Sequence, residues 1–328
     1  MKKVWNFCAR YSKVIMLVSL VIAIVYPFIA KTRYLVGVGI TCLMNAALAA
    51  SMNLIIGSLG QMSMAHSAFW GIGAYTAAIL STRLGVGSLG TLVIAMAVAG
   101  LFSLLLGLPV LKLKGYYLTV VTLGFCEIIR LVELNWTSLT NGALGISRVK
   151  TFSFFGALIK DRMIIYYIML LILIFVIIVL SNLLNSKHGM AILSIRDDEI
   201  AAASVGINVF RHKMLVFIIA GMIAGMVGSF YAHYLSFVDS TDFTTKASMN
   251  FAIFAIFGGL GSIPGAIGGS IILTVIPEVL RFLQTYRTLF YGAIIVIILL
   301  FKPDGILGSV NFKYIRQRQL SAGKGSRK

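Results

Sequence analysis

Three charged residues lie inside an otherwise apolar stretch of this chain, and they are well placed to act on a solute. Glu127, Arg130 and Glu133 follow one another at intervals of three within the run 116–134. In a helix this spacing is expected to bring all three to one face. Charged groups inside a long apolar helix are costly unless they are paired or functional. Two interpretations stay open: a polar wall facing a solute path, or an internal ion pair that fixes helix packing.

A second group of polar residues lies between two apolar runs near position 60. Its candidate site residues are Asn53, Ser63 and His66, with Gln61, Gly57 and Gly60 among them. Glycine and polar residues at membrane depth are tolerated where the backbone is buried in protein or lines a cavity. A broken helix at a solute path and a plain turn between two helices both fit. His66 alone is more typical of a hydrogen-bonded packing histidine than of a proton carrier.

No pattern for nucleotide, metal or covalent chemistry is found in the sequence. The motif G-x-x-x-x-G-K-[ST] is missing, and no strand precedes the glycines of the stretch 258–270. Cys8, Cys42 and Cys126 are too widely spaced for a disulfide framework or a metal site. We therefore expect no catalytic residue, no cofactor and no metal in this chain. Energy for work on a solute must then come from a partner or an ion gradient.

The elements that position these residues are long apolar helices. Hydrophobic residues make up 59% of the chain and charged residues 12%, whereas a soluble domain has about 25% charged residues. Runs such as 14–30 and 163–184 are long enough to cross a hydrocarbon core of ~30 Å. They also lack the polar stripe of a soluble core helix. The predicted fold class is an all-α polytopic membrane protein, so the net charge of +18 does not indicate nucleic acid.

About ten transmembrane helices are predicted. With ten spans, the N-terminus and the C-terminus of the chain lie on the same side of the membrane. The runs are 14–30, 34–56, 67–82, 89–111, 116–134, 163–184, 214–235, 247–260, 264–283 and 287–301. The eighth run is short and bounded by glycine, which favours a partial or broken helix. Of the 28 Lys and Arg residues, 17 fall on the side of the N-terminus and 10 on the other, so both termini are expected in the cytoplasm. Residues 1–13 are then a cytoplasmic segment and residues 302–328 a basic cytoplasmic tail.

The predicted cytoplasmic loop 186–213 is long enough to have a structure of its own. Asp197, Asp198 and Glu199 are the acids expected in a first helical turn. Ala201 and Ala202 favour a helix, and Gly206 suits its C-terminal end. A short helix–turn element and an ordinary solvated linker are equally compatible with this composition.

Several long strings of the sequence resemble one family of transport proteins. MNLIIGSLGQMSMAHSAFWGIGAYTAAIL (52–80) resembles the signature of the permeases of branched-chain amino-acid ABC transporters. YYLTVVTLGFCEIIRLVELNWTSLTNGALGI (116–146) is similar to the matching segment of the LivM-type subunit. IRDDEIAAASVGINVFRHK resembles the cytoplasmic coupling loop of that family, and FGGLGSIPGAIGGSIILTVIPEVLRF with FKPDGILG resembles its C-terminal third. One departure is Ala65, where the family usually has glycine.

The resemblance implies a subunit of a bacterial inner-membrane importer with a type II ABC importer-like fold. Residues 14–301 would be its transmembrane permease domain. Its partners would be a LivH-like second permease, two ATP-binding subunits that hydrolyse ATP, and a periplasmic solute-binding protein. The coupling loop would seat in an ATPase subunit through Asp197, Asp198, Glu199, Ala201, Ala202 and Gly206. Candidates for the translocation path are Asn53, Ser63, His66, Glu127 and Arg130.

The solute and the energy source have alternatives at this point. Leucine, isoleucine and valine are the cargo that the resemblance implies, but importers of urea and short amides have similar permeases. A stand-alone ion-coupled carrier is a function of another class. It would depend on intramembrane carboxylates, which Glu127, Glu133 and Glu278 could supply. The cytoplasmic helix–turn loop argues against a carrier, since a carrier needs no dock for an ATPase.

Overall fold

The computed structural model describes residues 12–30, 32–113, 115–154, 157–159 and 161–280, with isolated positions between 292 and 305. Apart from these positions, the predicted span 287–301, the tail 302–328 and nearly all of the segment 1–13 lie outside the described residues.

The described part of the chain is predominantly helical. In chain order the helices are α1 (Ser12–Ile29), α2 (Arg33–Asn53), α3 (His66–Arg83), α4 (Ser88–Val110), α5 (Tyr116–Asn135), α6 (Thr137–Thr140), α7 (Arg162–Asn185), α8 (Lys187–Asp197), α9 (Glu199–Ser204), α10 (Val209–Leu235), α11 (Thr245–Gly258) and α12 (Ile263–Val279). A π-helical turn, Leu54–Ser58, continues α2, and a 3-10 turn covers Gly142–Leu144. The strands β1 (Ile146–Ser147), β2 (Ser153–Phe154), β3 (Ala157–Leu158) and β4 (Phe237–Val238) form two antiparallel pairs, β1 with β4 and β2 with β3.

Polar side chains define where several of these helices begin. Thr32 accepts a hydrogen bond from the backbone N–H of Leu35 at the start of α2, and Asp161 accepts one from Met163 at the start of α7. Ser186, Asp198 and Asn208 do the same for α8, α9 and α10. Each cap satisfies a backbone donor that the first helical turn leaves without an intrahelical partner.

Helices α3, α4 and α10 form the centre of the bundle, and small residues lie at their crossing. A Cβ at Gly221 would lie 2.6 Å from Ser103 Cβ, and the backbones of Gly73 and Gly225 are in direct contact. The hydrophobic effect does not drive helices together within lipid, so membrane helices depend on such close approach for packing energy. Helix α12 runs antiparallel to α2. Three hydrogen bonds show this, because their partners follow opposite orders along the two helices: Asn53 with Ser262, Asn45 with Thr274 and Tyr34 with Glu278.

The connecting segments collect at two opposite ends of the bundle. At one end, the side chain of Arg196 from α8 lies against Gly60 and Gly261. At the other end, Arg83 donates hydrogen bonds to the carbonyls of residues 138 and 139, at 2.6 and 2.9 Å, and β1 pairs with β4. The loops predicted on one side of a membrane therefore lie together, and so do those predicted on the other.

The prediction of about ten spans is only partly supported. Among the described residues, four helices are long and apolar enough to cross a membrane: Arg33–Ser58, Ser88–Val110, Arg162–Asn185 and Val209–Leu235. The bent pair α11–α12, whose axes differ by 118°, could count as a fifth. Helix α5 occupies a predicted span but carries Glu127, Arg130 and Glu133, so its charge content sets it apart from these four.

The predicted loop 186–213 is more helical than the sequence indicates. It contains α8, α9 and the first turn of α10, which begins at Val209 rather than at residue 214. Asp197 ends α8 instead of opening a helix, and Asp198 is the N-cap of α9, accepting from the N–H groups of Ile200 and Ala201 at 2.8 and 3.0 Å. Gly206 follows α9 with a φ of +87°, a conformation that glycine adopts without strain.

Candidate functional site

Asn53 holds the bend between α11 and α12. Its amide nitrogen donates to the carbonyl of Ser262 at 2.9 Å, and its amide oxygen accepts from the N–H of Gly261 at 3.0 Å. The side chain is buried, and Gly57 has no side chain that would displace it. Both ends of the amide are therefore used inside this chain, and Asn53 offers no free group to a solute in this conformation.

Ser63 and His66 are also buried at the same end of the bundle. His66 is the first residue of α3, and its Nε2 lies 2.8 Å from Ser51 Oγ. Its ring packs edge-on against Phe251 at 6.1 Å. Ser63 Oγ accepts from the N–H of Ala65 at 3.4 Å, and Ala65 has a φ of −80°, so the glycine usual in the family is not required here.

Glu127 and Arg130 form an ion pair on α5, as the three-residue spacing predicts. Arg130 Nε donates to Glu127 Oε1 at 2.9 Å, and its terminal nitrogen contacts the same oxygen. The two side chains are half-buried. The expectation that Glu133 lies on the same face is wrong, because six residues turn a helix by about 600°, which leaves Glu133 about 120° around from Glu127.

Glu133 is buried against α3, and neither of its carboxylate oxygens has a hydrogen-bond partner within the described residues. The sequence interpretation named this residue but missed its surroundings. Its carboxylate meets Phe243 at Gly71, and Trp70, Tyr75 and Tyr231 pack edge-to-face on Phe243. The polar string 239–242 between two apolar runs was the signal available in the sequence.

Helix α9, in the loop predicted to be cytoplasmic, is held to α10 by a buried ion pair. Lys213 is 2% exposed, and its Nζ donates to Glu199 Oε2 at 2.9 Å. Around this anchor the side chains of Ile200 and Val205 point to solvent, Ile200 with an exposure of 75%. Ala202, by contrast, is 3% exposed and packs inside this chain. A partner could reach Ile200 or Ala201, but Ala202 cannot contact a partner in this conformation.

The comparisons with known proteins assign the family. Residues 34–299 match the sequence model of the family described as "Branched-chain amino acid transport system / permease component". The chain belongs to this family. The high-affinity branched-chain amino acid transport system permease protein LivM of Salmonella typhimurium is 33% identical over 318 residues, which cover 90% of this chain and 75% of the relative. LivM of Escherichia coli K12 has the same identity and coverage.

A second kind of permease also matches. The permease protein LivH of Salmonella typhimurium is 24% identical over 286 residues, 80% of this chain and 91% of that relative. No solved structure matches significantly. The chain is thus a multi-pass membrane permease of the branched-chain amino acid family, and its relatives are transport components rather than enzymes.

Proposed function

We propose that this chain is a transmembrane subunit of an ATP-driven importer and forms part of the translocation path for leucine, isoleucine and valine. The observation that carries the proposal, beside family membership, is the exposed apolar side of α9 on an element anchored by a buried ion pair. Ile200 and Val205 are 75% and 76% exposed within six residues of chain, and apolar side chains exposed together are typical of a surface that seats in a partner.

The partners proposed are those of the importer as a whole. A LivH-like permease would complete the path, two ATP-binding subunits would hydrolyse ATP, and a periplasmic binding protein would deliver the amino acid. The membrane would be the bacterial inner membrane. The second permease is supported by the likeness of this chain to both LivM and LivH.

The proposed architecture is a type II importer-like permease of about ten spans with both termini in the cytoplasm. It is supported by the segregation of the connecting segments to two ends of the bundle. Cysteine labelling of intact cells tests the topology: a cysteine at Lys150 should react with a membrane-impermeant maleimide, and one at Lys324 should not. The reverse pattern would overturn this arrangement.

The docking surface proposed for the ATPase is the solvent side of α8–α9. It comprises Ile200, Ala201 and Val205, with Asp197, Asp198 and Gly206 at its edges, while Glu199 anchors it from within. Arg196 connects this surface to the bend of α11–α12, because its side chain contacts Gly261, whose N–H is bonded to Asn53. Movement of the docked helix would thus reach the bend by direct contact.

The proposed path residues differ in what they can contact. Glu127 and Arg130 lie half-buried on α5 and are available to a solute or to the second permease. We propose that Asn53, Ser63 and His66 act from within, by shaping the turn and bend at the cytoplasmic end of the path.

Reconstitution of the complete transporter in proteoliposomes tests the function. Uptake of radiolabelled leucine should require ATP, the binding protein and this chain, and unlabelled isoleucine and valine should compete. Competition by urea alone would assign the related short-amide importers instead. Uptake that follows an imposed proton or sodium gradient without ATP would assign an ion-coupled carrier.

A further inference from the structure

Glu133 is a buried acid on α5. It is 4% exposed, and neither oxygen has a hydrogen-bond partner within the described part of the chain. Arg130, one helical turn away, is engaged with Glu127. An isolated carboxylate inside a membrane protein is costly, so such residues are typically found where a cation or a proton binds.

A group of four aromatic side chains lies next to Glu133. A Cβ at Gly71 would lie 2.6 Å from Glu133 Oε1 and 2.9 Å from Phe243 Cγ, so the carboxylate and this ring meet at the same glycine. The centroid of Trp70 lies 4.7 Å from that of Phe243 and 4.9 Å from that of Tyr231. Tyr75 adds a fourth ring, 6.0 Å from Phe243. We call these four side chains, Trp70, Tyr75, Tyr231 and Phe243, the aromatic cluster.

Two further polar features face the cluster. The indole N–H of Trp70 is buried and has no hydrogen-bond partner among the described residues. The hydroxyl of Tyr231 donates to Asp242 Oδ2 at 2.5 Å. The cluster is therefore bordered by acids, and no Lys or Arg side chain forms an ion pair with them among the described residues.

The segment that brings Phe243 to this position is not helical, and Phe243 is buried whereas Thr241 and Asp242 beside it are exposed. Residues 236–244 enter from the end where β4 pairs with β1, and Phe243 packs at Gly71. Gly71 is twelve residues, or ~18 Å of helix, from Arg83 at that end. Irregular backbone at such depth is tolerated where it is enclosed by protein or lines a solute cavity, and broken helices of this kind form substrate sites in transporters.

We propose that Glu133 and the aromatic cluster receive the α-ammonium group of the transported amino acid. This proposal rests on the proposed function and names the group recognised within the path. A carboxylate supplies the counter-charge, and ring faces within about 6 Å attract a cation through their quadrupoles. The site is closed in this conformation, so an amino acid reaches it only when a covering element moves. Segment 236–244 is the covering element without helical structure, and its attachment to residues 146–147 is a pair of two-residue strands.

Direct binding to the assembled transporter, without the binding protein, tests the proposal. Trp70 serves as the fluorophore after Trp5 and Trp136 are replaced by phenylalanine. Three probes separate the charges of leucine: leucine itself, 3-methylbutylamine with only the ammonium group, and 4-methylpentanoate with only the carboxylate. Leucine and the amine should change the Trp70 emission saturably, and the acid should not. Equal binding of the acid and the amine would overturn the proposal.

Substitutions at Glu133 give the second measurement. Glu133→Gln keeps the shape of the side chain but removes its charge, and should weaken amine binding and leucine uptake at least tenfold. Glu133→Asp keeps the charge and should retain part of both. Asp161→Asn is the control: this residue caps α7 outside the proposed path, and its variant should leave amine binding within twofold of the parent. Unchanged amine binding in Glu133→Gln would overturn the proposal, and if that variant does not assemble, the three probes on the parent transporter still decide.

Failure of this inference and failure of the proposed function give different results. If the parent transporter imports leucine with ATP while Glu133→Gln imports it equally well, the function stands and the ammonium site does not. If the parent does not import leucine but still binds 3-methylbutylamine in a Glu133-dependent manner, the site stands and the cargo is a different primary amine.

Discussion

Lys213 and Glu133 are both ionisable and almost fully buried, but among the described residues only Lys213 has an ion-pair partner. Lys213, at the base of α10, bonds to Glu199 and joins α9 to the bundle. Glu133, inside the bundle on α5, has no hydrogen-bond partner in the described part of the chain and lies against Phe243 of the aromatic cluster. A paired buried charge holds two elements together, whereas a free one leaves a position for something from outside. The difference separates a region built to transmit movement from one built to bind.

The largest expected effect comes from leaving Lys213 without its acid. Glu199→Gln strands a buried ammonium group, which costs about 3–5 kcal/mol when one partner of a buried pair is removed. We expect the lower end, because the Glu199 side chain is 34% exposed. Lys213→Met removes the buried charge itself and leaves an acid that water can solvate, so it should cost about 1 kcal/mol.

Denaturant unfolding of the purified complex measures both variants and the double variant. The double variant should resemble Lys213→Met rather than the sum of the two. Equal losses for the two single variants would mean that the pair does not behave as a buried one.

Substitutions on the exposed and the buried side of α9 should affect assembly and folding separately. Ile200→Asp places a charge on the exposed side and should abolish amino-acid-stimulated ATPase activity, since the apolar contact to the partner would carry a buried charge. Folding should be unaffected. Ala202→Asp is the matched control, two residues further along α9. Ala202 packs within this chain, so its variant should lower the folded yield instead. Stimulated ATPase activity in Ile200→Asp with full co-purification would place the coupling surface elsewhere.

This pair of variants also shows where sequence reasoning ends. The acids and alanines of 197–203 predict a short helix, and Asp198 is indeed a cap. A six-residue helix is too short for its composition to reveal which side faces the bundle, so Ala202 was assigned to the partner although it is buried. The Glu127–Arg130 pair was predictable from local spacing alone. The environment of Glu133 was not, because Phe243 reaches it from 110 residues away in the sequence.

Asn53 is, like Lys213, a buried polar side chain whose partners lie within this chain. Asn53→Ala removes two hydrogen bonds and leaves the N–H of Gly261 without this partner, whereas the carbonyl of Ser262 still accepts from the N–H of Ala266 at 2.9 Å. The expected cost is about 1–3 kcal/mol. Asn45→Ala is the control on the same pair of helices, since Asn45 donates one bond to Thr274 Oγ1 at 3.0 Å. It should cost about 1 kcal/mol. Hydrogen exchange at residues 259–262 should accelerate in Asn53→Ala only, and protection retained there would show that Asn53 does not hold the bend.

The smallest effect is expected for the half-buried pair Glu127–Arg130, which lies between the two extremes. Its side chains are 40% and 23% exposed, so along a hydrated path water screens the attraction and the coupling energy should be about 0.5 kcal/mol. A double-mutant cycle with Glu127→Ala and Arg130→Ala measures it: the double variant should lose less stability than the sum of the single ones.

The same cycle addresses Glu133. If Arg130 were its hidden partner, Glu127→Ala would free Arg130 to bond with Glu133 and would abolish amine binding. Because Glu133 lies about 120° around the helix from Glu127, we expect amine binding to survive in every member of the cycle. Its loss in Glu127→Ala would mean that the free carboxylate is held in reserve for Arg130 rather than for an amino acid.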